Sequence, residues 1–329
     1  MSRNEECHVS EHGAALLSVL LLVAVMSIAS IAMLNVSLGA ISKARIVDAR
    51  GQLAWQITGA EEAGLVGVET LRVLSGANIN DRTPNFRQTR VTPLPTGVLT
   101  TRLEEDSNCF NVNTLGASGE ENEERLLAIA MYEDLLTSLG LGGADVEALQ
   151  AGLVDWLDGD RSQRLSGAEE LYYSRLSPPY RPGNVPVRSV TEVRAVRGYS
   201  RDLFLRLRPM ICARQSSENS VLNINTLTPE QAPLLVMAFS GELDLNDAVG
   251  LIGDRPAGGW GALELFLADE RLQAISPELH RVEVLSVQSS FLRLIGQIVL
   301  DEEVADFTTI YALPETQPTR IVRRTYGAS

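Results

Sequence analysis

Hydrophobic positions are spread very unevenly along this chain. From Gly13 to Ser42 no side chain is charged, and Ala14 to Leu34 is apolar apart from Ser18, Ser27 and Ser30. As a helix this run spans roughly 30 Å, enough to cross the hydrocarbon of a bilayer. A core helix of a soluble protein would carry charges on one face, and none appear here. Secretory h-regions are usually about 7 to 15 residues long, so a run of this length reads as a retained anchor. Beyond it, Ile46, Leu53, Ile57, Leu65, Val68 and Leu71 recur at helical spacing with no proline up to Leu74. The spacing predicts the second half of one long helix.

Asn78 to Pro95 collects Asn, Asp, Thr and the prolines Pro84, Pro93 and Pro95, which marks a loop, and Val98 to Leu103 follows as a strand. Near the C-terminus, Phe291 to Leu300, Phe307 to Leu313 and Thr319 to Thr325 read as β segments. Between these parts, Glu120 to about His280 reads as helix. An internal repeat marks that region, Asn111-Val112-Asn113-Thr114-Leu115 and Asn223-Ile224-Asn225-Thr226-Leu227, each followed by leucine-rich helices. The expected fold is α+β: a long N-terminal transmembrane helix packed on a small antiparallel sheet, with a large inserted all-α domain built of two related helical modules. In residue ranges this gives a leader at 1–13, a membrane half-helix at 14–36, a first part of the sheet domain at 37–110, the insert at 111–283 and the closing strands at 284–329.

The flanks of the apolar run carry the next signal. Arg3 stands against Glu5, Glu6 and Glu11 before it, and Lys43, Arg45 and Arg50 follow it. A simple positive-inside count would leave the C-terminal part in the cytoplasm, unless a dedicated targeting route overrides it. His12-Gly13-Ala14-Ala15-Leu16-Leu17 puts a small residue at the polar-to-apolar boundary. This looks like a prepilin peptidase site, and the resemblance implies cleavage after Gly13 and methylation of the new N-terminus, Ala14. Pilins usually carry a glutamate a few residues into the mature helix, and this sequence has Ser18. From residue 13 to near the C-terminus the layout resembles the K-type minor pseudopilin of bacterial type II secretion systems. Asp155 to Tyr173, Pro178-Pro179-Tyr180 and Ser189 to Pro209 are its most specific parts, and that family commonly lacks the glutamate.

The resemblance implies a pilin-like domain and a subunit at the tip of a periplasmic pseudopilus. It would initiate and cap assembly for the export of folded proteins across the outer membrane. The implied partners are the I-type and J-type minor pseudopilins, other pseudopilins, the inner-membrane assembly platform and prepilin peptidase. The chain would cross the inner membrane once, N-terminus in the cytoplasm and globular part in the periplasm. A K-like subunit of a type IV or competence pilus shares the anchor and the cleavage site.

Charge and composition narrow the chemistry. Asn-x-Asn-Thr before a leucine-rich helix also resembles helix-hairpin-helix modules, which present backbone amides to phosphate. A net charge of −14, with Lys43 the only lysine, disfavours a basic face, so no nucleic-acid partner is expected. Of the histidines His8, His12 and His280, the first two leave with the leader, so zinc or Ser-His-Asp chemistry has little to use. Cys7 leaves as well. Cys109 and Cys212 remain, either as one periplasmic disulfide or as two buried thiols. Asp155, Asp158 and Asp160, followed by Glu169 and Glu170, pile carboxylates at a helix end whose dipole is already negative. Oxygen donors around a Gly159 turn suit calcium, which the K-type family is known to bind in this insert, and the alternative is pairing with Arg161 and Arg164 on a solvated loop.

Overall fold

The computed structural model describes residues 11–116, 123–215, 220–300 and 303–327, with side chains from residue 15 onward. The leader before Glu11 lies outside the described residues. Helix α1 (Glu11–Ser75) runs unbroken for 65 residues, roughly 100 Å at 1.5 Å per residue. Within its apolar part, the hydroxyls of Ser18, Ser27 and Ser30 donate back to the carbonyls of Ala15, Val23 and Met26 at 2.8, 2.7 and 2.8 Å. A polar group that bonds inside its own helix need not be solvated by lipid. Large side chains such as Leu16, Leu21, Ile28, Met33 and Val36 stand exposed. Past Lys43 burial becomes one-sided: Leu53, Ile57, Ala60, Glu61 and Val68 form the covered face.

That face packs on a five-stranded antiparallel sheet. A hairpin of β1 (Thr89–Leu94) and β2 (Gly97–Glu105) opens it. The chain then leaves for the insert. Its first module holds β3 (Phe110–Asn111), α2 (Glu123–Ser138), α3 (Gly143–Leu157), α4 (Glu170–Tyr173), α5 (Arg201–Leu207) and β4 (Ile211–Cys212). The second holds β5 (Leu222–Asn223), α6 (Ala232–Ala238), α7 (Leu245–Gly253), α8 (Leu263–Leu267), α9 (Glu270–Gln273) and β6 (Leu285–Ser286). The chain returns through β7 (Phe291–Leu300), β8 (Glu303–Ala312) and β9 (Arg320–Tyr326), giving the order β1-β2-β7-β8-β9.

Two separate cores follow. Leu53, Ile57, Val68, Leu292, Ile298, Phe307 and Tyr311 lie between α1 and the sheet. Tyr132, Leu135, Leu153, Trp156, Leu235, Phe239 and Phe266 belong to a core confined to the insert. Helix and sheet are locked by a polar contact as well. The buried carboxylate of Glu61 accepts from Thr309 Oγ1 at 2.7 Å and from Arg324 Nε at 2.9 Å, and its carbonyl accepts from Tyr311 Oη at 2.8 Å.

The structure adds two features to the sequence expectation. The stretch from Asn78 to Pro95 contains strand β1, which tolerates Pro93 because an edge strand has no ladder on its outer side. The insert is helical but not purely so: β3 pairs with β4 and β5 with β6, both parallel, closing each module at its base.

The Asn-x-Asn-Thr-Leu repeat is the device that shapes both bases. In the first copy the Asn111 Oδ1 accepts the Asn113 N–H, and Thr114 Oγ1 donates to the Asn111 carbonyl at 2.7 Å. The second copy repeats both bonds with Asn223, Asn225 and Thr226. The middle asparagine clamps a distant backbone segment in two-point fashion, as a neighbouring strand would. Asn113 exchanges 2.9 Å bonds with both the N–H and the carbonyl of Val187. Asn225 does the same to Trp260, at 2.6 and 3.0 Å. These side chains are buried, so the paired bonds offset the desolvation of four hydrogen-bonding groups per module.

Candidate functional site

Gly13 and Ala14 lie in the first turns of α1, where only the backbone is described. Ser18 follows on the apolar surface with its hydroxyl already committed to the Ala15 carbonyl. It offers no charge to a neighbouring helix.

The acidic cluster forms where α3 stops. The helix ends at Leu157, and its C-cap Asp158 is extended, with φ −78° and ψ 160°. Asp155 therefore sits within the helix and Asp158 at its extended end. Asp158, Asp160 and Glu169 bring one oxygen each within 4.8 Å of one another. Asp158 and Glu169 are only 6% and 5% exposed. Asp158 Oδ1, Glu169 Oε1 and Asn184 Oδ1 are buried and accept no hydrogen bond.

Asn184 is the member that sequence reasoning missed. It arrives on a segment carried by the ring cluster of Trp156, Tyr173 and Tyr180, whose centroids lie 5.1 to 6.2 Å apart. Its N–H donates to the Trp156 carbonyl at 3.0 Å and its Nδ2 to the Asp160 carbonyl at 2.7 Å. The Pro182-Gly183 pair just before it is a turn signal that could have flagged the position.

Two of the expected residues stand apart from this group. Asp155 is fully buried and turned toward the returning loop, accepting the Arg164 N–H at 3.2 and 3.3 Å, with the Arg164 guanidinium at 4.0 Å. Its carboxylate lies so close to Gly167 that a side chain there would collide with it. Glu170 opens α4 and pairs outward with Arg181 at 3.0 Å.

Electrostatics show what the cluster lacks. Burial pushes Asp155 up to about 6, against the Arg164 N–H that favours its charged form. Burial likewise raises Asp158, reinforced by Asp160 and opposed by Arg125, whose guanidinium stands 3.4 Å from Asp158 Oδ2. Glu169 is raised by burial first and then by Asp158 and Asp160. Arg125 and Arg164 offset the charge on Asp158 only in part, and the orphaned donors are all hard oxygens. A divalent cation such as calcium fits that donor set; a thiolate- or imidazole-seeking metal does not.

Cys109 and Cys212 are joined by a disulfide with their Cα atoms 5.6 Å apart, at the rung where β3 meets β4. It fastens the first module's return strand beside its departure point. Arg214 completes that corner: its guanidinium lies 3.8 Å over the Phe291 ring and 3.6 Å from Asp106. The remaining histidine of the expected mature chain, His280, packs edge-on against Phe239 and bonds to the Ile275 carbonyl at 3.2 Å.

Comparison with known proteins gives these features a family. Two family models, both described as type II secretion system protein K, match residues 108–216 and 222–288. Those stretches coincide with the two modules of the insert. The type II secretion system protein K of Pectobacterium carotovorum subsp. carotovorum is 31% identical over 96% of this chain and 97% of its own length. That of Aeromonas hydrophila is 34% identical over 75% and 77%. Among solved structures, a chain from the GspK-GspI-GspJ complex of the enterotoxigenic Escherichia coli type 2 secretion system superposes with a TM-score of 0.74. It is 26% identical, over 87% of this chain and all of that one. The chain belongs to the type II secretion system protein K family.

Proposed function

We infer that this protein is a minor pseudopilin that initiates and caps the pseudopilus of a type II secretion system, as a structural subunit and not a catalyst. The observation that carries the reading is the pairing of an apolar α1 with an insert hung between β2 and β7. The first half of α1 suits packing among similar helices in the inner membrane. The insert has a core of its own beside the sheet domain, a bulk that suits the end of a helical fibre better than its middle. Ser18 agrees. In a stacked fibre a carboxylate at this depth would neutralise the N-terminal ammonium of the next subunit, and an unpaired charge in hydrocarbon costs several kcal/mol. A subunit with Ser18 supplies no such partner and therefore closes the stack.

The partners proposed are the I-type and J-type minor pseudopilins, with the other pseudopilins and the assembly platform below them. The solved relative was crystallised in a GspK-GspI-GspJ complex. The N-terminus would face the cytoplasm and the globular part the periplasm, after cleavage at Gly13 and methylation of Ala14 by prepilin peptidase. Calcium would be held by Asp158, Asp160, Glu169 and Asn184. It would meet the orphaned oxygens of Asp158, Glu169 and Asn184 and the exposed carboxylate of Asp160, bracing the end of α3 against α4.

The experiment is N-terminal sequencing and intact mass of the membrane-extracted protein, from secreting cells with and without prepilin peptidase. A methylated Ala14 terminus that requires the peptidase is expected. A protein that restores secretion to a deletion strain while still starting at Met1 would overturn the reading.

A further inference from the structure

The two modules share more than their asparagine repeat. Each has a first helix ending in a left-handed glycine, Gly140 at φ 78° and Gly241 at φ 79°. Each has a second helix, α3 or α7, capped at its C-terminus by an aspartate, Asp158 or Asp254. Each then presents a four-residue helix, α4 or α9, with an acidic N-cap, Glu169 or Asp269, and a glutamate at its first position, Glu170 or Glu270. The same two carboxylates therefore face each other across both modules.

They differ at the next position. In the second module it is Arg271, whose Nη1 meets Asp254 Oδ2 at 2.9 Å while Nε and Nη2 each meet the Asp269 carboxylate at 2.8 Å. Gly250, one turn before the cap, leaves the room that the guanidinium fills. A cation in the first turn of a helix opposes the helix dipole, so its placement there reflects the demand of the two carboxylates. In the first module the matching residue is Leu171, 62% exposed and unable to supply charge. There Arg125 stands 3.4 Å from Asp158 Oδ2, while Asp158 Oδ1 and Glu169 Oε1 stay buried with no hydrogen bond among the described residues.

We propose that Arg271 is a built-in cation standing in the second module where the first module takes an exchangeable divalent ion, and that Leu171 is the residue that leaves the first site dependent on that ion. This rests on the calcium reading above. Calcium sensitivity of the insert then belongs to the first module alone, and an arginine at position 171 substitutes for the ion.

The test compares the full chain in detergent with its Leu171→Arg and Arg271→Leu variants, by thermal unfolding in calcium chloride or in chelator and by calcium binding at equilibrium. The wild type is expected to bind calcium and melt higher with it. Leu171→Arg should bind at least tenfold more weakly and, in chelator, melt near the calcium-loaded wild type. Arg271→Leu should lose about 2–4 °C in chelator and less in calcium, 2–4 °C being the shift that about 1 kcal/mol produces in a domain of roughly this size. A Leu171→Arg chain that binds calcium like the wild type overturns the proposal, as does an Arg271→Leu chain that melts unchanged. If the wild type binds no calcium but Leu171→Arg raises its melting point, the calcium reading falls and the equivalence of the two sites stands. If neither happens, both fall.

Discussion

The carboxylate of Glu105, at the end of β2, ties the pilin-like sheet to the insert, and removing it measures how firmly the two are joined. Its Oε1 accepts the backbone N–H groups of Asp106 and Ser107 at 3.0 and 2.8 Å. Its Oε2 accepts the hydroxyls of Thr226 and Ser289 at 2.8 and 2.6 Å and the Asn223 amide at 3.4 Å. In Glu105→Ala some donors keep a second acceptor: Asp106 N–H retains the Phe291 carbonyl at 3.0 Å, and Thr226 retains the Asn223 carbonyl at 3.1 Å. The Ser107 N–H and the Ser289 hydroxyl, on residues 1% and 2% exposed, lose the acceptor recorded for them. Each buried orphan costs about 1–3 kcal/mol, so the variant should lose about 3–5 kcal/mol once the weakened Thr226 and Asn223 bonds are added. Glu105→Gln keeps the shape and one acceptor and should lose about 1–2 kcal/mol. Urea unfolding of the full chain in detergent reads this out, with Trp260 fluorescence reporting the second module. A loss below about 1 kcal/mol for Glu105→Ala would refute the claim that this carboxylate couples the two parts.

Two further outcomes follow from the same geometry. Asn113→Ala and Asn225→Ala each break a two-point clamp on a backbone segment and should each cost about 2–4 kcal/mol in urea titrations; a cost confined to one copy would mean the repeat is not one device used twice. Replacing residues 107–290 by an Asn-Gly turn should leave a cooperatively folding protein in thermal scans, because Asp106 and Phe291 are already hydrogen-bonded neighbours and the core under α1 draws on no described residue of the insert. A non-cooperative melt would show that the sheet domain depends on the insert.

Much of this architecture can be read from the sequence, and the parts that cannot have definite physical reasons. Helix α1 is legible because a long stretch without charge or proline admits few other structures in lipid, and the strands after Phe291 alternate as half-buried strands do. Strand β1 is hidden by its prolines, since the rule that excludes proline from sheets does not hold at an edge. At the acidic site, Asp158, Asp160 and Glu169 are visible as a run of acids near a helix end. Helical spacing groups Asp155 with Asp158, but the helix stops between them, and the carboxylate of Asp155 is taken up by the Arg164 N–H while that of Asp158 converges with Asp160 and Glu169. For Asn184 the Pro182-Gly183 pair signals a turn but not a place at this site, because aromatic packing and two backbone bonds bring it there, not spacing.

The position of the insert is a stronger instance of the same limit. Glu105 and Leu292 are partners on the last rung of the β2–β7 ladder, so the chain leaves for the insert and returns from it at one place in the sheet. Sequence distance carries no trace of that adjacency. The insert is held to the sheet domain at several further points: Arg323 of β9 bonds to the Ala213 carbonyl, Asp81 pairs with Arg255 at 2.7 Å, and Asn223 donates to the Ile79 carbonyl at 3.1 Å. These contacts join residues more than a hundred positions apart, so they become visible only once β2 and β7 have been paired, and they leave the two hydrophobic cores separate.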